Sequence, residues 1–458
     1  MSRGELTSIL EEANSIRQEA GEIFREQIVE RIFQEAEVIH RQVVERSGPK
    51  ADWERKLDDI LTSRLFGYPI MLSLFGVVLW LTIVGANYPS ELLAKLLFGF
   101  EGCLSKFVLW LGAPLWLHGA LVDGIYRAMA WVVAVMLPPM AIFFPLFTFL
   151  EDLGYLPRVA FNLDRLFKRA GTAGKQALTM CMGFGCNAAG VTAARIIDSP
   201  RERLIAIITN NFMPCNGRFP LLFAIATIFF GSLMKVGSLG TSLMVLGMIV
   251  FGVIITLLIS WLLSKTILKG VPSSFTLELP PYRKPQLGTI LVRSLIDRTL
   301  HVLWRAVIVA APAGLITWML ANTTLGDVSL LAKFAGFLAP AGRLMALDGF
   351  ILAAFILGFP ANEIVIPILL MGYLAQGVMM EPSSISALGK LLVQNGWTPL
   401  TGLNMMLFSL LHFPCGTTLF TIHKETGSTK WTLISFVLPS LVAVVVCIVV
   451  AQVVGFFM

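Results

Sequence analysis

The chain has 458 residues, of which 56% are hydrophobic and 14% charged. Apolar runs of about 18 residues or more, enough to cross a bilayer core, recur along it, which excludes an ordinary water-soluble domain. The first 64 residues hold 10 Lys/Arg and 14 Asp/Glu and the remainder 25 against 15, so the formal net charge of +6 lies in loops, as a topology signal and not a nucleic-acid patch.

No short apolar segment with a small-residue cleavage site opens the chain, so no signal peptide is expected and the N-terminus is read as cytoplasmic. Residues 5–46 predict a helix with an apolar stripe (Leu6, Ile9, Leu10, Ala13, Ile16) set against Glu and Arg. SGPK at 47–50 ends it, and DWERKLDDILTSRL forms a second short helix before the first span. An amphipathic stripe is either solvated or covered, here by a partner or by the protein's own cytoplasmic face.

Hydropathy predicts spans near 65–86, 120–150, 204–231, 240–264, 302–321, 400–422 and 431–457, with 91–117 and 328–340 interfacial. The loops 151–175 and 265–301 carry Arg158, Arg165, Lys168, Arg169, Lys175 and Lys265, Lys269, Arg283, Lys284, Arg293, Arg298; the positive-inside rule places both in the cytoplasm. Two apolar stretches do not fit as simple spans. QALTMCMGFGCNAAGVTAARI at 176–196 is broken by glycines and flanked by basic residues, so it enters and leaves on the cytoplasmic side. ALDGFILAAFILGFPANEIVIPILLMGYLAQG at 346–377 is broken at its centre and reads as a hairpin entering from outside. DSPRERL at 198–204 is a helix start, with Ser199 as N-cap, Pro200 at the first position and Glu202 closing a capping box.

The two halves then align. GFGCN at 183–187 matches GFPAN at 358–362, and FMPCNG at 212–217 matches FPCG at 413–416. The predicted fold is an all-α polytopic membrane protein with two inverted repeats, each holding a re-entrant helical hairpin and a Pro-Cys-broken transmembrane helix. Its divisions are a cytoplasmic amphipathic region 1–64, a first span with interfacial helix 65–118, a first repeat 119–265, a cytoplasmic linker 266–301 and a second repeat 302–458. Inverted repeats interrupted at matching positions point to a transport site near the midplane.

Proline removes a donor and clashes with the carbonyl four residues back, so Pro214 and Pro414 must open their helices, leaving carbonyls to face a ligand. Cys215 and Cys415 follow them, and Cys186 sits at the tip of the first hairpin. Three thiols converging there suggest a divalent transition metal, since soft ligands select against magnesium and calcium. Cys103 and Cys447 read as packing residues, Cys181 as intermediate, and the six cysteines show neither zinc-finger nor CxxC spacing. Glu363 is an intramembrane carboxylate, a placement costing about 2.5–3.5 kcal/mol on insertion scales for Asp, and is expected to face a cavity or a partner. Asn187 and Asn362 either face the pathway or cap half-helices; Gly183, Gly185 and Gly358 allow the hairpin breaks. His412, three residues before Cys415, is placed on the same helix face and read as a satisfied interhelical histidine or a pathway residue. Met182 and Met213 read as packing.

At these residues the chain resembles the membrane portion of the FeoB family, bacterial ferrous iron transport protein B, with its paired Gate domains. The resemblance is carried by DDILTSRLFGYPI, EDLGYLPRVAFNLDRL, GFGCNAAGVTAARIIDSPRERL, FMPCNGR, LDGFILAAFILGFPANEIV and FPCGTTLFTIHKETGSTKW. It implies that Cys186, Cys215 and Cys415 hold the positions of the family's proposed metal-pathway cysteines, and likeness to carriers with two re-entrant hairpins, such as concentrative nucleoside transporters. Family members usually begin with a GTP-binding domain and a helical linker, whereas this chain starts within what resembles that linker; a separate GTP-binding protein docking on residues 1–60 is the expected partner. GFPANE stands where many members carry a GxxAKE-like segment, so Asn362 replaces a lysine. The expected function is ferrous iron transport across the bacterial cytoplasmic membrane, with the ion as substrate, no permanently bound cofactor, lipid around the spans and a homo-oligomer allowed. The alternative is a carrier for a nucleoside or other small polar solute using Asn187, Asn362 and Glu363. A hydrolase built on Ser409 and His412 lacks an elbow motif and an orienting acid.

Overall fold

The structure is a computed structural model. It describes residues 28, 31–32, 34–39, 42–43, 49–63, 65–231, 238–270, 282, 285–326, 328–375, 377–379 and 385–457. Most of the stripe expected over 5–46, and with it most of the expected docking segment 1–60, lies outside the described residues.

The protein is an all-α polytopic membrane protein. Among the described residues, seven helical segments are long and apolar enough to cross a membrane: Gly67–Trp110, Leu115–Asp152, Pro200–Phe230, Gly240–Lys265, Leu287–Asn322, Pro399–Thr426 and Thr429–Phe456. Each contains most of one span expected from hydropathy, with Gly67–Trp110 and Leu287–Asn322 longer than the expected 65–86 and 302–321. Burial sorts them. The apolar window of Pro399–Thr426 is 83% buried and that of Pro200–Phe230 61%, whereas those of Gly67–Trp110 and Thr429–Phe456 are 19% and 22% buried. The two proline-broken segments therefore form the centre, and unbroken helices face outward, where lipid satisfies their apolar surface and their backbone groups are paired internally.

One expectation is corrected by the first helix. Residues 91–110, expected to be interfacial, continue it without interruption past Pro89 to a length of 44 residues. At about 1.5 Å per residue that is roughly 66 Å, about twice a hydrocarbon core. The polar residues that suggested an interface are paired along or beside the helix: Lys95 Nζ meets Glu91 Oε1 at 2.7 Å, and Arg127 Nη1 meets Glu101 Oε1 at 3.2 Å. Residues 330–344, expected at least in part to be interfacial, form the helix Leu330–Leu344, which turns by 112° into Gly349–Leu357. Asp348 caps the second helix, accepting from the Ile351 amide at 2.7 Å, and also accepts from the Tyr373 hydroxyl.

Both hairpins break where the sequence places Gly, Pro and Asn. Lys175–Gly185 runs to the tip and Asn187–Ala193 returns; Gly349–Leu357 runs to the second tip and Asn362–Ile364 and Val365–Tyr373 return. Ser199 caps the helix Pro200–Thr209 as expected, accepting from the Glu202 amide.

A polar joint ties the short N-terminal helix Pro49–Leu61 to the rest. Asp58 takes two hydrogen bonds from Arg158, at 3.0 and 3.2 Å, and one from the Tyr282 hydroxyl at 2.6 Å. The Arg158 guanidinium lies 4.3 Å from the Tyr282 ring centroid. Burial and the Asp58 carboxylate push the Tyr282 phenol up to about 12, so it stays a donor at neutral pH.

Candidate transport site

The two hairpin tips share one backbone geometry. Cys186 has φ −156° and ψ 127°, and Ala361, at the matching position, has φ −153° and ψ 121°. Each is the extended residue from which the return limb starts. The asparagines that follow are therefore first helical residues, and neither provides the side-chain cap considered for it. Instead Asn187 packs against Asn210, whose Nδ2 donates to the Asn187 carbonyl at 3.1 Å.

The broken spans open as the prolines require. In the first, helix ends at Thr209, Asn210–Phe212 tightens into a 3-10 turn, and helix resumes at Phe219. In the second, helix ends at Leu411 and resumes at Gly416. His412 lies in the gap with extended backbone, so it does not share a helix face with Cys415. Its ring is buried among Phe355, Phe408 and Phe413, with Nδ1 at 3.0 and 2.9 Å from the carbonyls of Phe408 and Ser409.

Several of the opened carbonyls are already paired. Arg218, 1% exposed, reaches from the first break to the second: Nη1 donates to the carbonyls of Asn211 at 2.8 Å and Leu410 at 2.7 Å. Its Nη2 donates to Asn211 Oδ1 at 3.2 Å and to the carbonyls of His412 and Phe413 at 3.4 and 3.5 Å. Asn211 Nδ2 adds a bond of 2.6 Å to the His412 carbonyl. This corrects the expectation of free carbonyls at the second break: buried backbone acceptors must be paired, and a forked guanidinium pairs several at once.

The hairpins close on the breaks. The Gly416 amide donates to the Phe359 carbonyl at 2.8 Å. Gly217 lies against the carboxylate of Glu363, leaving no room for a β-carbon. Where the four elements meet is a small cavity of about 30 Å3. Gly185, Cys186 and Asn187 of the first tip line it, with Pro360, Ala361, Asn362 and Glu363 of the second, Cys215, Asn216 and Gly217 of the first break, and Cys415, Thr417 and Thr418 of the second. Met136, Met140 and Ala306 of neighbouring spans complete the wall.

Of the residues singled out in the sequence, Cys186, Cys215, Cys415, Glu363, Asn187, Asn362 and Gly185 thus line one chamber, whereas Pro214, Pro414, Gly183, Gly358 and His412 do not line it. Among the described residues no three His, Cys, Asp or Glu side chains stand close enough to hold one metal ion together. Cys103 is exposed; Cys447 is buried, its thiol 3.6 Å from the Asn404 carbonyl. Thr417, Thr418, Asn216 and Arg218 were missed, although all four lie within three residues of a singled-out cysteine.

A second, larger cavity of about 730 Å3 lies on the other side of the first hairpin. Met182, Ala188 and Ala189 of the hairpin and Thr421 of the second broken span face it, one turn from residues that face the thiol chamber. Its rim carries Lys175, Arg195, Arg305 and Lys424 against Glu151 and Glu425, with Arg195 paired to Glu425 through two bonds of 2.7 Å.

The family described as "Nucleoside recognition", Gate, matches residues 133–229 and 303–429, and the ferrous iron transport protein B C terminus matches 245–297. A Fe(2+) transporter FeoB of Staphylococcus aureus (strain MSSA476) is 31% identical over 454 residues, covering 96% of this chain. The chain is a FeoB-family membrane portion. The FeoB of Methanocaldococcus jannaschii is 28% identical over 438 residues, covering 93% of this chain and 62% of that protein. That of Salmonella typhimurium is 31% identical over 244 residues, 52% of this chain and 30% of the relative. The chain spans 64% of the length of the staphylococcal FeoB. No solved structure matches. The Gate matches enclose both FeoB hairpins and both Pro-Cys breaks, so all four elements around the thiol chamber fall within them.

Proposed function

We propose that this chain conducts ferrous iron across the bacterial cytoplasmic membrane through the thiol-lined chamber, from outside to inside. The observation that carries the reading is the meeting of Cys186, Cys215, Cys415 and Glu363 around one chamber built from both hairpin tips and both helix breaks. Relatives of this chain are named Fe(2+) transporters. A dication moving to a negative interior gains about 4.6 kcal/mol per 100 mV, so uptake runs downhill once the hydration shell is replaced. Thiols spread around a chamber, not drawn into one closed ligand set, suit an ion that must bind and leave.

The chamber's size argues against the nucleoside alternative. Its 30 Å3 holds about one or two water-sized particles, whereas organic ligands occupy roughly 300–1,000 Å3. The larger cavity has that volume, but Asn362 and Glu363 do not line it.

In this reading the two halves, 119–265 and 302–458, are oppositely oriented repeats, the N-terminus is cytoplasmic, and a separate GTP-binding protein docks on residues 1–60 to gate the path. Asp58, inside that segment, is bonded to Arg158 and Tyr282 and gives such docking a mechanical connection to the bundle. The test is uptake of radioactive ferrous iron by proteoliposomes. Cys186→Ser, Cys215→Ser and Cys415→Ser are each expected to lower the rate about tenfold or more, the scale for losing a metal ligand or its support, with the protein still folded. Wild-type rates in all three would remove the thiol pathway.

A further inference from the structure

Several polar groups at and beside the thiol chamber are engaged: Thr418 Oγ1 lies 3.2 Å from Cys415 Sγ, and the carbonyls of Leu410 and His412 at the second break accept from Arg218 and Asn211. Thr417 is different. It is 3% exposed, it lines the chamber, and its hydroxyl has no hydrogen-bond partner among the described residues.

The break explains why. A threonine inside a helix ordinarily returns its hydroxyl to the carbonyl four residues back. Thr421 does this, donating to the Thr417 carbonyl at 2.8 Å. For Thr417 the residue four back is Phe413, which lies in the gap and whose carbonyl accepts from Arg218. Opening the helix at Pro414 therefore leaves one buried hydroxyl without a partner, on a residue that lines the chamber. A buried hydroxyl left without a partner is destabilising, and a valine of the same shape would avoid that penalty.

We propose that the Thr417 hydroxyl is a direct, neutral oxygen ligand for the passing ion, and that it sets metal preference. The proposal rests on the ferrous-iron reading and deepens it. Thiols alone favour the softest ions, whereas oxygen donors beside them shift a site toward manganese and ferrous iron and away from zinc. Thr417 of the second broken span and Glu363 of the second hairpin tip supply that oxygen. The hydroxyl replaces one water of the ion's shell and, being uncharged, adds nothing that would hold the ion in place.

The experiment compares wild type, Thr417→Val and Thr417→Ser in proteoliposomes, with ferrous iron and zinc uptake measured separately and the melting temperature of the metal-free protein in detergent. Thr417→Val is expected to lower ferrous uptake on the order of tenfold, the scale of one lost polar contact, and to change zinc uptake by less than about twofold. Its metal-free melting temperature is expected to equal or exceed that of wild type, and Thr417→Ser to restore the iron-to-zinc ratio. An unchanged ratio in Thr417→Val, a ratio not restored by serine, or a clear fall in melting temperature overturns the assignment and returns Thr417 to a structural role. Failure of the underlying reading looks different: wild-type protein moves no ferrous iron, or all three cysteine variants keep the full rate, and the Thr417 proposal falls with it.

Discussion

Arg218 is a cation sealed into the middle of the bundle, and its fork holds two chain breaks that lie about 200 residues apart in sequence. Replacing it with Ala leaves several buried acceptors unpaired, at about 1–3 kcal/mol each before relaxation, so Arg218→Ala is expected to yield little folded protein by size-exclusion chromatography. Arg218→Lys should rescue poorly, because an ammonium cannot span both breaks in one plane. Gly217 offers a gentler probe. A methyl there meets the end of the Glu363 side chain, which can move, so Gly217→Ala should keep the fold and lower iron uptake several-fold by displacing the carboxylate. The cysteines, the prolines and Glu363 were legible in the sequence because breakers and thiols are rare in apolar runs. Arg218 and Thr417 were not: one is defined by partners in the other half of the chain, the other by a hydrogen bond that it lacks.

At the scale of elements, the breaks were legible and some of their consequences were not. Proline and glycine predict where a helix stops, as at Gly185 and Leu411, but periodicity assumes the helix continues, which misplaced His412 on the face of Cys415. Residues 91–110 misled in the opposite sense, since Glu91, Lys95, Glu101 and Lys106 lower hydropathy without interrupting the helix. The joint between Pro49–Leu61 and the bundle gives a prediction of its own. Tyr282 ionises near 10 when unfolded and is pushed up to about 12 here, so its contribution is fully present below pH 10 and is lost as pH rises from about 10 to 12. The alkaline limb of thermal stability should lose this step in Tyr282→Phe. Asp58→Ala strands the buried Arg158 and is expected to destabilise by roughly 3 kcal/mol or more, measured by chemical denaturation.

For the molecule as a whole, the proposed function makes uptake depend on deprotonated thiols, so ferrous transport should fall as pH is lowered, and serine variants should flatten that profile. The two cavities are of very unequal size, with a single turn of hairpin and a single turn of broken span between them. Under the proposed function, a chamber of about 30 Å3 has no room for a fully hydrated dication, so an ion entering it would have shed most of its water. On the same reading, stripping speed would then discriminate before any ligand does: magnesium, reluctant to dehydrate, would be turned away by its own coat without a dedicated barrier.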